Sequence, residues 1–403
     1  MMAFDFKEVS KYLDGLRRLE KDAELSTLDL QDAKKYLDGP TWTPEAEKTR
    51  KDDSVPYISG WHDSVKWPDE SKMPKFFNPK FILRTAKRPA FVSGLHTKGK
   101  TGKNVSIAII DQRLNLGHPE YKDRIKRYEI IKNDWFSDGW HKESDYHGSL
   151  VVGVAAGKTT GVAPDADIYY VAANNWISPD EDKILSKKKE LTETEKKRKK
   201  FGTNERHIEA VGKIIQINRD LPPEKKIRFL SCSFNGARPD KSEELQKMFE
   251  QAEEEGIMVL VVGYGHTGEN DNPNFSSFDK RYNKSDYAKV KIPVFDNRIY
   301  VPTDGKTNPF FKGGYMYERL GGVSSTLPYL AGVFALALQD NILFAQQKDW
   351  QDKIMRIAMS TATEREDGMR IINPAGIVDA VAEQTRKLQL EIGMNKKKGA
   401  ISD

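Results

Sequence analysis

The stretch Gly321-Gly322-Val323-Ser324-Ser325-Thr326-Leu327-Pro328-Tyr329-Leu330-Ala331-Gly332 constrains this chain more than any other. Two glycines deliver a serine to the start of a helix, and a proline follows four residues later. Proline belongs in a first helical turn, where its missing N–H would have no partner anyway. From Ala331 to Leu338 the sequence is apolar nearly all round, so the helix is expected to be buried rather than amphipathic. A serine at the positive end of such a helix suits two roles. It can cap the helix, or it can act as a nucleophile whose developing charge the dipole and the unpaired N–H groups favour.

At 403 residues the chain is long enough for a large core, and length alone allows two or three domains. Hydrophobic residues make up 38% and mean hydropathy is -0.67, the composition of a soluble, highly charged protein. The 65 basic and 60 acidic residues leave a net charge of +5, which gives nucleic-acid binding no footing as a main role. A single cysteine, Cys232, excludes an intramolecular disulfide and a cysteine-based zinc site. The first residues lack the apolar core of a signal peptide, and no apolar run reaches the length of a membrane span. The expected location is therefore cytoplasmic, without a membrane partner.

Along the chain, residues 5–20 carry Val9, Leu13, Leu16 and Leu19 near helical spacing, and a second helical stretch is expected from about Thr27 to Leu37. Residues 40 to about 80 are rich in proline, tryptophan and charge, and read as an extended arm on a larger body. The first strong strand is Val105–Ile110, a near-continuous apolar run of the kind a doubly buried parallel strand needs. It ends on Asp111, at the carboxyl edge where open α/β sheets place their chemistry; capping the next turn is the alternative role. His147 precedes a helix of small and apolar residues, Gly148 to Gly157. A turn at Gly161–Pro164 leads to a strand at Asp167–Ala173. Residues 178–206 form a charged insertion of mixed sign. Then follow a helix from His207 to Asn218, a strand at Ile227–Ser233, a helix over 241–255 and a strand at Ile257–Val262. A polar, irregular stretch over 269–290, a strand near Arg298–Val301, the serine helix, a helix over 349–360 and a frayed tail beyond Arg386 complete the order. Alternating strands and helices imply an α/β fold with a mostly parallel sheet and helices on both faces.

Asp111, His147 and Ser324 occur in the chain order Asp…His…Ser, one of the known orders of a Ser–His–Asp triad. His147-Gly148-Ser149-Leu150-Val151-Val152-Gly153 resembles the subtilase signature His-Gly-Thr-His-Val-Ala-Gly. Gly161-Val162-Ala163-Pro164-Asp165-Ala166 resembles the Gly-Val-Ala-Pro-x-Ala after it. The segment from Gly322 to Gly332 resembles Gly-Thr-Ser-Met-Ala-x-Pro-His-Val-Ala-Gly, and His118-Pro119-Glu120 falls where subtilases carry His-Pro. The likeness covers roughly residues 90–381. Ser325 is a rival nucleophile, but the spacing to Pro328 puts Ser324 in register.

The resemblance implies a three-layer subtilisin-like domain over 81–386, with a mainly helical extension over 1–80 and a flexible tail over 387–403. It implies a serine endopeptidase working through Asp111, His147 and Ser324 on a polypeptide substrate. Ser233, Phe234, Asn235 and Gly236 would correspond to the Ser-Leu-Gly segment that binds substrate as an added strand. Calcium is common in that family, but no oxygen-ligand loop can be assembled here, so no metal or other cofactor is expected. Two positions depart from the pattern. The family's Asp-Thr/Ser-Gly is Asp111-Gln112-Arg113. The oxyanion-hole asparagine is replaced by His266 when Gly265 and Gly268 are kept in register, or by Gly265 in an ungapped alignment. These departures motivate an alternative expectation, a pseudoprotease that binds or regulates a partner.

Overall fold

The computed structural model describes residues 22–27, 29–31, 60–73, 78–131, 146–173, 184–193, 195–196, 205–233, 243–261, 274–278, 298–303, 305–318, 323–364 and 370–399. In chain order its elements begin with β1 (Gly60–His62), α1 (Pro79–Thr85), α2 (Ser93–Thr97), β2 (Ser106–Asp111) and β3 (Ile125–Ile130). They continue with α3 (Tyr146–Ala156), β4 (Asp167–Ala172), α4 (Glu205–Asp220), β5 (Ile227–Cys232), α5 (Glu243–Glu254) and β6 (Met258–Val261). Next come β7 (Asn274–Phe278), β8 (Arg298–Pro302), β9 (Lys306–Pro309), β10 (Tyr315–Glu318) and α6 (Val323–Leu338). The chain closes with α7 (Trp350–Thr361), β11 (Thr363–Glu364), β12 (Arg370–Ile371) and α8 (Pro374–Gly399).

The continuous apolar runs do become a parallel sheet, in the order β3-β4-β2-β5-β6. Its side chains alternate between two cores, as the period of two along a strand requires. Ile107 and Ile109 of β2, Ile168 and Tyr170 of β4 and Phe229 of β5 join one core with α3, α6, α7 and α8. Ala108, Ile110, Val171, Leu230 and Cys232 point the other way, into a core made with α4 and α5. The result is the three-layer α/β arrangement expected from the alternating elements.

Chain direction places the site. From β2 the chain reaches β3 and β4 on one side, then β5 and β6 on the other. The winding therefore reverses at β2, and the carboxyl ends flanking such a strand form the crevice of an open α/β sheet. Asp111 is the last residue of that strand.

Two helices cross this sheet side by side. The sequence of α3 is small and apolar, and α6 is fully buried from Ser325 to Leu338. Gly332 of α6 lets them close up. A Cβ there would lie 2.6 Å from Val162 Cβ and 3.2 Å from the carbonyl oxygen of Ala155 at the end of α3. The loop after α3 is pinned to it by Val162 N–H and Ala163 N–H, which donate to the carbonyls of Val154 and Ala155.

Several elements differ from expectation. β3 was not anticipated, because Lys126, Arg127 and Glu129 interrupt its apolar pattern; it is the exposed edge strand. β7 falls inside the stretch read as irregular, and pairs in parallel with β8. The expected arm contributes β1, which pairs antiparallel with β10, itself paired with β9. Leu25, Leu30, Trp61, Val65, Met73, Leu83 and Tyr317 form a separate core around that sheet. The helix expected from about Thr27 does not include 29–31, and the remainder of that helix and residues 5–20 lie outside the described residues. The last helix continues through 387–399, where good helix formers such as Lys387, Leu388, Gln389, Leu390 and Glu391 sustain it. The described residues include no helix long and apolar enough to cross a membrane.

A buried cluster joins β10 to the main body. Glu120 accepts hydrogen bonds from Thr159 N (2.7 Å), Thr159 Oγ1 (2.5 Å) and the Tyr315 hydroxyl (2.6 Å). Burial alone would raise its pKa, but these bonds and those from Thr160 outweigh it and hold the carboxyl below its usual range. Adjacent His118 is a neutral ring: its Nε2–H donates to the carbonyl of Gly314 (2.9 Å) and its Nδ1 accepts from Glu120 N–H (3.2 Å).

Two outcomes follow from this packing. Gly332→Ala forces a methyl group against Val162 and is expected to lower stability by about 1–3 kcal/mol, read from the urea midpoint. Glu253, on α5, has its pKa pushed up to about 7, first by burial and further by Asp352 and Glu250, from a usual 4.5. Between those values the native state holds more protons than the unfolded chain, so stability falls as pH rises through that window. Glu253→Gln is therefore expected to melt higher than wild type at about pH 8, with the gain disappearing below about pH 4.

Candidate active site

The carboxyl end of β2 presents Asp111 on the same strand face as Ile107 and Ile109, the face that packs against α3. Its Oδ1 accepts from His147 Nδ1 at 2.8 Å and from the backbone N–H of Gln112 at 2.8 Å. The Asp111 side chain is 3% exposed and that of His147 is 29% exposed. A carboxylate this buried holds the imidazole in the tautomer with the proton on Nδ1, leaving Nε2 as the basic atom.

His147 sits in the first turn of α3, and Gly148 explains how it comes so near. A side chain at 148 would run into the Gln112 carbonyl and the Tyr170 hydroxyl. Tyr170, from the buried face of β4, donates to that same carbonyl at 2.5 Å. The turn Asp111-Gln112 is thus held from below by Tyr170 and approached from the side by a glycine. Sequence reading identified the departure at Gln112-Arg113 but not this tyrosine, whose only signal was its place in a buried strand.

Ser324 lies in the first turn of α6 and is half-buried, whereas Ser325 is 3% exposed. That difference favours Ser324 over its neighbour for any reaction with an incoming molecule. The backbone of Ser324 is tied to the sheet by Ser233, whose hydroxyl donates to the Ser324 carbonyl at 2.8 Å. The pairing of Ile110 with Cys232 sets Ser233 level with Asp111, one strand spacing of about 4.8 Å away. Asp111 and His147 are thereby in direct contact, and Ser324 is anchored at the same edge of the sheet. Phe234, Asn235, Gly236 and His266 lie outside the described residues.

One expectation about the serine helix needs correction. The helix begins at Val323, so Pro328 is its sixth residue and falls beyond the first turn. At that position the absent N–H would have bonded the Ser324 carbonyl. The hydroxyl of Ser233 occupies that acceptor instead.

Cys232, next to Ser233, is buried and its thiol is pushed well up, first by burial and then by the Asp111 charge, so it is not a nucleophile. Among the described residues no group of three or more His, Cys, Asp or Glu is placed to hold a metal ion. Glu120, the most enclosed carboxylate near the motif His118-Pro119, already has its oxygens engaged by Thr159, Thr160 and Tyr315.

The subtilase family model matches residues 102–301. The chain is 28% identical over 112 residues to the subtilisin-like protease PopC of Myxococcus xanthus (strain DK1622), covering 26% of this chain and 19% of PopC. It is 25% identical over 257 residues to the major intracellular serine protease of Bacillus subtilis (strain 168), covering 59% of this chain and 70% of that protein. The match thus spans under a fifth of the length of PopC and about two thirds of the Bacillus enzyme. Among solved structures, the prenylagaramide maturation protease PagA aligns with a TM-score of 0.49 and 14% identity, over 72% of this chain and 98% of that one.

Gly148→Ala is expected to push α3 away from the Asp111 turn and break the Asp111–His147 hydrogen bond. The measurement is the low-field imidazole N–H proton resonance, assigned by its loss in His147→Ala. Its persistence in Gly148→Ala would show that the glycine does not set this contact.

Proposed function

We propose that this chain, which the subtilase family model matches over residues 102–301, is a serine endopeptidase in which Ser324 is the nucleophile, His147 the base and Asp111 the group that orients the base. The observation that carries this reading is the 2.8 Å hydrogen bond between buried Asp111 and part-exposed His147 at the winding reversal of the sheet. A serine hydroxyl at its ordinary pKa attacks poorly and needs a base within reach. Nε2 of His147 takes the Ser324 proton as Oγ bonds to the scissile carbonyl carbon. The same proton then passes to the leaving amine, releasing one half of the polypeptide. Asp111 keeps the ring oriented and stabilises the imidazolium in both steps. Water, activated by His147, hydrolyses the acyl group from Ser324.

In this reading Ser233, Phe234, Asn235 and Gly236 receive the substrate backbone as an added strand, and Phe234 shapes the pocket beside it. His266 donates an N–H to the tetrahedral oxyanion. The catalytic unit is proposed to run over 81–386, in a cytoplasmic protein that needs no cofactor. The replaced oxyanion asparagine also supports a second reading, a domain of the same fold that binds a partner without cleaving it, because losing one oxyanion donor costs about a hundred- to a thousand-fold in rate.

A fluorophosphonate probe, which reacts with activated serines, separates the two. Wild-type protein and Ser325→Ala are expected to be labelled, and Ser324→Ala is expected to stay unlabelled. His147→Ala is expected to label at least about a thousand-fold more slowly. Wild type that remains unlabelled would remove the enzyme reading and leave the binding one. For the oxyanion, His266→Ala is expected to reduce peptide cleavage about a hundred-fold while His266→Asn retains most of it. Equal activity in both variants would dismiss His266 from that role.

A further inference from the structure

In a regular helix the N–H of residue i+4 bonds the carbonyl of residue i. Pro328 stands four residues after Ser324 and has no N–H, so α6 contains an acceptor that the regular i+4 bond cannot satisfy. That acceptor belongs to the very residue assigned as nucleophile. The hydroxyl of Ser233, 91 residues earlier, donates to it at 2.8 Å from a site that is 8% exposed.

The placement follows from the strand. Phe229, Ser231 and Ser233 share one face by alternation, and the Phe229 ring packs against Phe334 of α6 with centroids 6.0 Å apart. The segment from Phe229 to Ser233 therefore runs along α6, with Phe229 at its middle and Ser233 at its first turn. A first turn is held by few backbone bonds, and the proline removes one of those.

We propose that the Ser233 side chain is a positioning residue for Ser324, a second role beside the substrate-binding one assigned to its backbone. Its hydroxyl replaces the hydrogen bond that Pro328 withholds and fixes the backbone from which the nucleophilic Oγ projects. This inference rests on the reading of Ser324 as nucleophile. A displacement of about 1 Å at a reacting atom can cost about a hundred-fold in rate, so a small loss of order at Ser324 is enough to register.

The test is a double-mutant cycle on the full chain, reading the rate of fluorophosphonate labelling and kcat and KM on a peptide substrate. Ser233→Ala is expected to slow labelling and kcat by about 10- to 100-fold with KM nearly unchanged. Ser233→Thr keeps the hydroxyl and is expected to restore most of the rate. Pro328→Ala returns an N–H to the helix at the required place. In that background Ser233→Ala is expected to cost less than about three-fold, because the Ser324 carbonyl has regained its helical partner. Two results overturn the proposal while leaving Ser324 as nucleophile: Ser233→Ala labelled at the wild-type rate, or an equal loss in both backgrounds. A wild type that is never labelled overturns the nucleophile reading, and the positioning role with it. Thermal midpoints of the five proteins show that each is folded, and Ser233→Thr and Pro328→Ala supply the comparison should Ser233→Ala be unstable.

Discussion

The close approach of α3 and α6 is the contact on which the rest of the site depends. One helix carries His147 in its first turn and the other carries Ser324 in its own. Helices usually lie about 8–10 Å apart, at a distance set by the side chains between them. Here Gly332 removes the side chain at the crossing, and its neighbours across the gap are Val162 and the Ala155 carbonyl. Because both helices also pack on the same face of the sheet, their first turns converge at its carboxyl edge. A larger residue at 332 would act twice, by spoiling a core and by separating the two ends.

Within that frame each of the three candidate side chains has its own local support, and the supports differ in kind. Asp111 is fixed by strand pairing and by the Gln112 N–H, and the turn after it by the Tyr170 hydroxyl. His147 is fixed by Asp111 and by the absence of a side chain at Gly148. Ser324 is fixed through its main chain, by a hydroxyl from the neighbouring strand. Preorganisation of this sort is what the proposed reaction would require, since groups that are already oriented need no reorganisation during a reaction.

How far this was legible in the sequence depends on how local the signal is. The inner strands announce themselves, because a strand buried on both faces must be apolar along its whole length, as Val105–Ile110 is. The contact of Asp111 with His147 was legible from order and flanking motif. β3 was not, since an edge strand with one wet face admits Lys126, Arg127 and Glu129. The β9–β10 hairpin was hidden for the opposite reason. Lys306, Thr307 and Asn308 are buried polar residues, and their reason for being inside, such as the bond from Thr307 Oγ1 to the Leu83 carbonyl, exists only in the folded chain. Pro328 shows the limit most clearly. Its spacing from Ser324 was readable, but its consequence lies in a hydroxyl 91 residues away.

The small sheet adds a further link in this chain of dependence. β10 ends at Glu318, and α6 begins five residues later at Val323. β1 pairs with β10 along Gly60–His62, and Trp61 lays its ring on Tyr317 with centroids 4.3 Å apart. A side chain at Gly60 would run into the Tyr317 carbonyl, so the two strands meet only because residue 60 has none. From the other side, Tyr315 reaches Glu120, and His118 reaches Gly314. β10 is therefore clamped between an early segment of the chain and the loop that follows β2. Through His118 and Glu120 that clamp reaches the loop leaving Asp111, which ties the packing of residues 60–62 to the candidate site rather than leaving it an appendage.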